Sequence, residues 1–209
     1  MQIILYSTIY LFLALNLNDE VASKPGKMSN KALDFLVSKW KLLYTWFDIN
    51  EDGKVDFSDG DLQRSRFSNL NHLSDAEKKT ILNQFGKWWT ECVLFGKSEL
   101  TESDFIEGMS NKWETDKKVF RKMMYTCNNM IGNIVDTNND GSITKEEFEV
   151  ILKTGGHNNS PLDEKFFEDY HPIDDKVPIS VMTDSWVTLL TLEDSTKPDL
   201  VKSAIEFGV

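Results

Sequence analysis

The stretch Asp48-Ile-Asn-Glu-Asp-Gly-Lys-Val-Asp-Phe-Ser-Asp59 decides how this chain is read. Oxygen-bearing side chains stand at positions 1, 3, 5, 9 and 12 of the twelve: Asp48, Asn50, Asp52, Asp56 and Asp59. Gly53 at position 6 permits a sharp left-handed turn that other residues adopt only at a cost. Lys54 at position 7 offers its backbone carbonyl, so its cationic side chain is tolerated there. Val55 at position 8 is apolar, as a residue must be that pairs with a neighbouring loop. Oxygen donors alternating along a tight loop can wrap a hard cation of flexible coordination, a description that fits calcium.

The stretch Asp136-Thr-Asn-Asn-Asp-Gly-Ser-Ile-Thr-Lys-Glu-Glu147 repeats the pattern. Here Asp136, Asn138, Asp140, Thr144 and Glu147 take positions 1, 3, 5, 9 and 12. Gly141 makes the turn, Ser142 gives its carbonyl, and Ile143 is the apolar position 8. One acidic loop is ordinarily a solvated turn, but two that match position by position between amphipathic segments predict two bound calcium ions. The loops differ at their last position. Glu147 can reach an ion with both oxygens, whereas Asp59, one methylene shorter, reaches with one unless the loop contracts. The first site is therefore expected to hold calcium less tightly, or to accept magnesium.

Outward from the loops the pattern is helical, and the predicted fold is all-α. Leu33, Leu36, Trp40, Leu43 and Phe47 recur at spacings of three and four before the first loop, behind Ser29 as a candidate N-cap. Phe57, Leu62 and Phe67 follow it, and Ser74 to Glu77 reads as a capping box opening a helix with Ile81, Phe85, Trp88, Trp89 and Cys92. Val119, Phe120, Met123, Met124, Cys127, Ile131 and Ile134 form a stripe ahead of the second loop. Phe148, Ile151 and Leu152 follow that loop, closed by Gly155-Gly156. Each loop needs a partner. Val93 to Asp104 is spaced to pair with the first loop through Val55 and Leu100, yet Val93, Phe95 and Lys97 at positions 1, 3 and 5 cannot hold an ion. A fourth loop, after a helix capped by Ser160-Pro161, would run from Pro172 to Thr183 and pair through Ile143 and Ile179, again without ligands. Two pairs are expected within one compact domain, at residues 29–112 and 113–209.

Residues 48–59 and 136–147, with their flanking helices, resemble EF-hands. The whole of residues 29–209 resembles the invertebrate sarcoplasmic calcium-binding protein group, which includes calexcitin and insect proteins described as juvenile-hormone diol kinases. Four hands, Asp at position 12 of the first, a degraded fourth, and Phe207-Gly208 near the C-terminus carry that likeness. The resemblance implies calcium coordination rather than catalysis. Some relatives are described as kinases, and Gly96-Lys97-Ser98 looks like the end of a phosphate loop. Its required first glycine falls on Glu91, and no buried strand precedes it, so nucleotide binding is not expected. His72, His157 and His171 are scattered and read as ordinary surface or loop residues.

The 209 residues carry 34 acidic against 23 Lys and Arg side chains, a formal net charge of −11. That balance excludes a nucleic-acid surface and favours a cation partner. Five carboxylates against Lys54 in the first loop, and four against Lys145 in the second, account for seven of those eleven charges. Ile3 to Leu15 is too short for a membrane span and suits the apolar part of a secretory signal ending near Ser23, with residues 1–23 removed. The same stretch reads alternatively as a helix packed on the core. Group members are mostly intracellular, so a leader departs from them. The expectation is a secreted, monomeric calcium buffer without a membrane span in the mature chain. A cytoplasmic calcium sensor is the alternative if the leader is retained. Six tryptophans, at 40, 46, 88, 89, 113 and 186, suit either a dry core or a cavity for a small hydrophobic ligand between the hand pairs. Cys92 and Cys127 read equally as a disulfide or as buried thiols. Asn158-Asn159-Ser160 is a weak glycosylation triplet, because Pro161 follows it.

Overall fold

A computed structural model describes residues 30–68, 74–157 and 159–209. The stretch expected to be a leader, residues 1–23, and Ser29, His72 and Asn158 lie outside the described residues. Helix α1 (Asn30–Phe47) enters the first loop, and β1 (Val55–Asp56) and α2 (Phe57–Ser68) leave it. Next come α3 (Asp75–Trp88), a wide turn over Trp89–Val93, β2 (Glu99–Leu100), α4 (Glu102–Thr115) and α5 (Lys117–Val135). The second acidic loop ends in β3 (Ser142–Thr144) and α6 (Lys145–Gly155). After it stand α7 (Ser160–Glu168), β4 (Lys176–Pro178), α8 (Ile179–Thr191) and α9 (Leu200–Phe207). The all-α expectation holds, the strands being two-residue and three-residue ladders between loops.

The apolar stripe of α1 is its buried face: Leu36 and Trp40 are fully buried, and Leu43 nearly so. Trp40 donates from Nε1 to the Leu190 carbonyl at 3.1 Å, which fixes α1 against the end of α8. Lys39 departs from the pattern, being a lysine with no exposed surface. Its ammonium donates to the carbonyls of Thr188 (3.2 Å) and Leu192 (2.8 Å) and pairs with Asp199 at 3.1 Å. It therefore caps the C-terminal end of α8, where the helix leaves carbonyls unpaired and its dipole is negative. Asp199 in turn accepts from Lys202 N as the N-cap of α9, so one buried pair joins α1, α8 and α9. Helix α5 lies tightly on α8 at Gly132, where an added Cβ would come within 2.6 Å of Ile179.

In the first ladder Val55 faces Leu100, as the spacing predicts. The second ladder corrects the expected frame of the fourth loop: Ile143 faces Val177, not Ile179. With Val177 at position 8 the loop runs from Tyr170 to Val181. No ligand pattern anchored that frame in the sequence. Pro178, which has no N–H, ends the strand, and Ile179 instead opens α8 and donates its N–H to Gly141 O at 3.2 Å. Ser160 is likewise the first helical residue of α7 rather than its cap, which is Asn159. The cysteine question is settled as a disulfide, Cys92–Cys127, with Cα atoms 5.6 Å apart. It ties the turn at the end of α3 to α5, and so joins the two hand pairs.

Candidate metal centres

Both acidic loops fold on the same hydrogen-bond plan. At position 1, Asp48 accepts from Asp52 N (3.1 Å) and Gly53 N (3.0 Å), and Asp136 accepts from Asp140 N (3.1 Å) and Gly141 N (2.8 Å). At position 3, the Asn50 and Asn138 side-chain oxygens accept from Asp52 N and Asp140 N. At position 5, Asp52 accepts from Lys54 N and Asp140 from Ser142 N, both at 3.0 Å. The turn itself is left-handed twice over, with φ +59° and +84° at Glu51 and Gly53, and +58° and +83° at Asn139 and Gly141. The backbone thereby curls round the side chains at positions 1, 3 and 5, with the second oxygen at position 5 also engaged, Asp52 by Asn50 Nδ2 and Asp140 by Lys176.

The two position-12 carboxylates close the loops in parallel ways. Asp59 is fully buried, accepting from Ile49 N and Asn50 N on one oxygen and Asp56 N on the other. Glu147, buried as well, accepts from Thr137 N and Oγ1 on one oxygen and Thr144 N and Oγ1 on the other. Each therefore bridges positions 2 and 9 of its loop, and Asp59 does so despite the missing methylene. Their electrostatics differ. Burial pushes the Asp59 carboxyl above the ordinary carboxylate range, and its three backbone donors only partly oppose this. Burial also pushes Glu147 up, but its Thr144 and Thr137 donors prevail and hold it below its usual value. A buried carboxylate held only by backbone N–H groups lacks a counter-charge, and a bound cation supplies one. The residues present thus fit a calcium ion. Among the described residues no three Asp, Glu, His or Cys side chains form a ready-made cluster. Each loop instead mixes carboxylate, amide, hydroxyl and backbone oxygens, the set of a cage that closes as its ion enters.

The degenerate loops show what is lost and what is kept. In the empty loop of residues 93–104, the second of the four in chain order, Thr101 and Asp104, at positions 9 and 12, form a capping box that starts α4, as Thr144 and Glu147 do for α6. Helix initiation survives there although Val93 is buried and Phe95 packs on Phe105, so positions 1 and 3 have become core. In the fourth loop Tyr170 at position 1 is buried against Phe148 and Phe166. The Tyr44 hydroxyl lies 3.0 Å from both the Gly53 and the Leu100 carbonyl oxygens and shares its one proton between them, holding the first acidic loop against residues 93–104.

Between the hand pairs lies an apolar cavity of about 160 Å³. Trp46, Trp88 and Trp186 border it, whereas Trp40, Trp89 and Trp113 belong to the dry core. The tryptophans therefore divide between the dry core and the cavity wall. His157 stands in a loop, one of the two settings expected for it, but it faces the interior. It lines the cavity, its Nδ1 accepts from Trp46 Nε1 at 3.3 Å, and Trp46 stacks on Trp186 at 4.6 Å. Burial, with Arg66 adding to it, pulls the His157 pKa from 6.5 down to about 4. Only its nearness to the Gly155-Gly156 helix stop placed it where α6 turns back toward the interior.

The EF hand family model matches residues 133–152, the second acidic loop with its flanks. The sarcoplasmic calcium-binding protein of Mizuhopecten yessoensis is 35% identical over 175 residues, covering 83% of this chain and 99% of the relative. Among solved structures, the calcium-loaded apo form of coelenterazine-binding protein from Renilla muelleri superposes with a TM-score of 0.70 at 14% identity, over 85% of this chain and 98% of that one. A sarcoplasmic calcium-binding protein from amphioxus gives 0.56 at 18% identity, over 82% and 96%. These two likenesses concern the fold alone.

Proposed function

Because this chain belongs to the sarcoplasmic calcium-binding protein family of EF-hand proteins, we propose that it is a secreted calcium buffer with two ion sites. The family consists of calcium-binding proteins rather than enzymes, so its chemistry is coordination. The observation that carries the two-site reading is the shared plan of the acidic loops, down to a position-12 carboxylate bridging positions 2 and 9 in each. Asp48, Asn50, Asp52, Asp56, Asp59 and the Lys54 carbonyl would hold one ion. Asp136, Asn138, Asp140, Thr144, Glu147 and the Ser142 carbonyl would hold the other. Bound calcium supplies positive charge that offsets the buried carboxylates and joins the start of each loop to its end. Asp59, fully buried on a shorter arm, makes the first site the one that accepts magnesium. Titrating calcium with and without millimolar magnesium tests this. Equal responses at both sites would refute it.

Secretion is supported by the short apolar leader and by the Cys92–Cys127 disulfide, since such bonds persist in oxidising compartments. Sequencing the N-terminus of the natural protein decides it. A residue near position 24 supports export, and an intact Met1 refutes it in favour of a cytoplasmic sensor. A second reading, carriage of a small apolar ligand, is supported by the cavity between the hand pairs. Its volume of about 160 Å³ matches cavities that admit a benzene-sized molecule. It is well below the roughly 300–1,000 Å³ of a drug-sized site. Native mass spectrometry of protein from its source tests this, with a bare chain as the contrary result.

A further inference from the structure

The fourth loop keeps one side chain turned toward its neighbour's ion site. Across the second ladder Lys176 faces Thr144, which stands at position 9 of residues 136–147, the third of the four loops in chain order. With Val177 at position 8, Lys176 takes position 7 of the fourth. Its ammonium reaches Asp140 at position 5 of the third loop, Nζ lying 2.5 Å from Oδ2. The other oxygen of Asp140 is held by Ser142 N. The first pair supplies an internal contrast. There the matching position 7 of the empty second loop is an acid, Glu99, and it pairs at 3.4 Å with Lys54 of the first loop. The two ion loops thus face partner charges of opposite sign at the same structural position.

We propose that Lys176 is a counter-cation built into the empty fourth loop, lowering the calcium affinity of the third loop by occupying and neutralising Asp140. The inference rests on the assignment of residues 136–147 as an ion site. A unit charge a few ångströms from an entering cation opposes it. Water and salt screen the effect, because both side chains are about one-third to one-half exposed. The degenerate hand is then an affinity-setting element rather than only a packing partner. It lets the third site, with its longer Glu147, release calcium at concentrations where an unopposed cage would stay filled.

Calcium calorimetry and chelator-triggered release rates on the full chain test this, with the third site identified as the one abolished by Glu147→Gln. Lys176→Met is expected to tighten that site about threefold to tenfold and to slow its release. Lys176→Glu should tighten it further, while Lys176→Arg should stay near the parent. The first site should not move, and metal-free thermal midpoints should remain alike. An unchanged or weaker third site in a natively folded Lys176→Met overturns the inference and leaves the two-site reading intact. Equal tightening of both sites overturns it too. If no Glu147-dependent calcium heat exists in the parent, the site assignment and this inference fall together.

Discussion

Removing the Cys92–Cys127 bond should destabilise the chain by an amount its topology sets. The bond closes a loop spanning 35 residues and joins the turn after α3 to α5. The chain-entropy relation for that loop length gives about 4 kcal/mol of denatured-state restriction lost on removal. For a chain with about 2.1 cal/mol/K of unfolding entropy per residue, that corresponds to a fall in Tm of about 10 °C. Both cysteines line the interior cavity, so Cys92→Ala with Cys127→Ala removes modest packing beside the crosslink. The assay is thermal unfolding by far-UV circular dichroism, metal-free, comparing oxidised parent, reduced parent and double variant. The last two should agree and lie about 10 °C below the first. A double variant within 3 °C or so of the oxidised parent would refute the reasoning, as would two titratable thiols in the native protein.

Two other perturbations bear on the scaffold. Lys39→Met strands Asp199 in the interior and leaves the end of α8 without its donor, so a loss of about 3–5 kcal/mol is expected in urea unfolding. Adding Asp199→Asn, a neutral N-cap, should recover part of it, and no recovery would contradict the buried-pair account. His157 has a folded pKa of about 4 against 6.5 unfolded, so the unfolded chain binds the extra proton between those values. The stability it contributes is complete above pH 6.5 and lost as the pH falls toward 4, at most about 3 kcal/mol. His157→Phe should therefore lose less stability than the parent between pH 7 and 5, and parallel pH curves would contradict this.

The turns of the two acidic loops and the first ladder were legible because their constraints are local. A coordination pattern needs named oxygens at named positions, and Gly53 and Gly141 sit where the observed φ is +84° and +83°. The frame of the fourth loop was illegible because its ligands are gone and two apolar residues, Val177 and Ile179, compete for position 8. The burial of Lys39 could not be read either: its partners lie about 150 or more residues away, and a lysine beside a helical stripe is ordinarily solvated. Helix α9 was within reach. Asp199 followed by Leu200, Val201, Ala204 and Ile205 is an N-cap before a helical stripe. The disulfide was not, because spacing alone does not place two helices side by side.

The central claim is two calcium sites, one in each acidic loop. Isothermal titration of the metal-free chain with calcium tests it most directly, alongside Glu147→Gln. The parent should take up two ions per chain and the variant one, with the first site's heat unchanged. Uptake of fewer than two ions by the parent, or of two by the variant at the parent's affinity, would contradict the account.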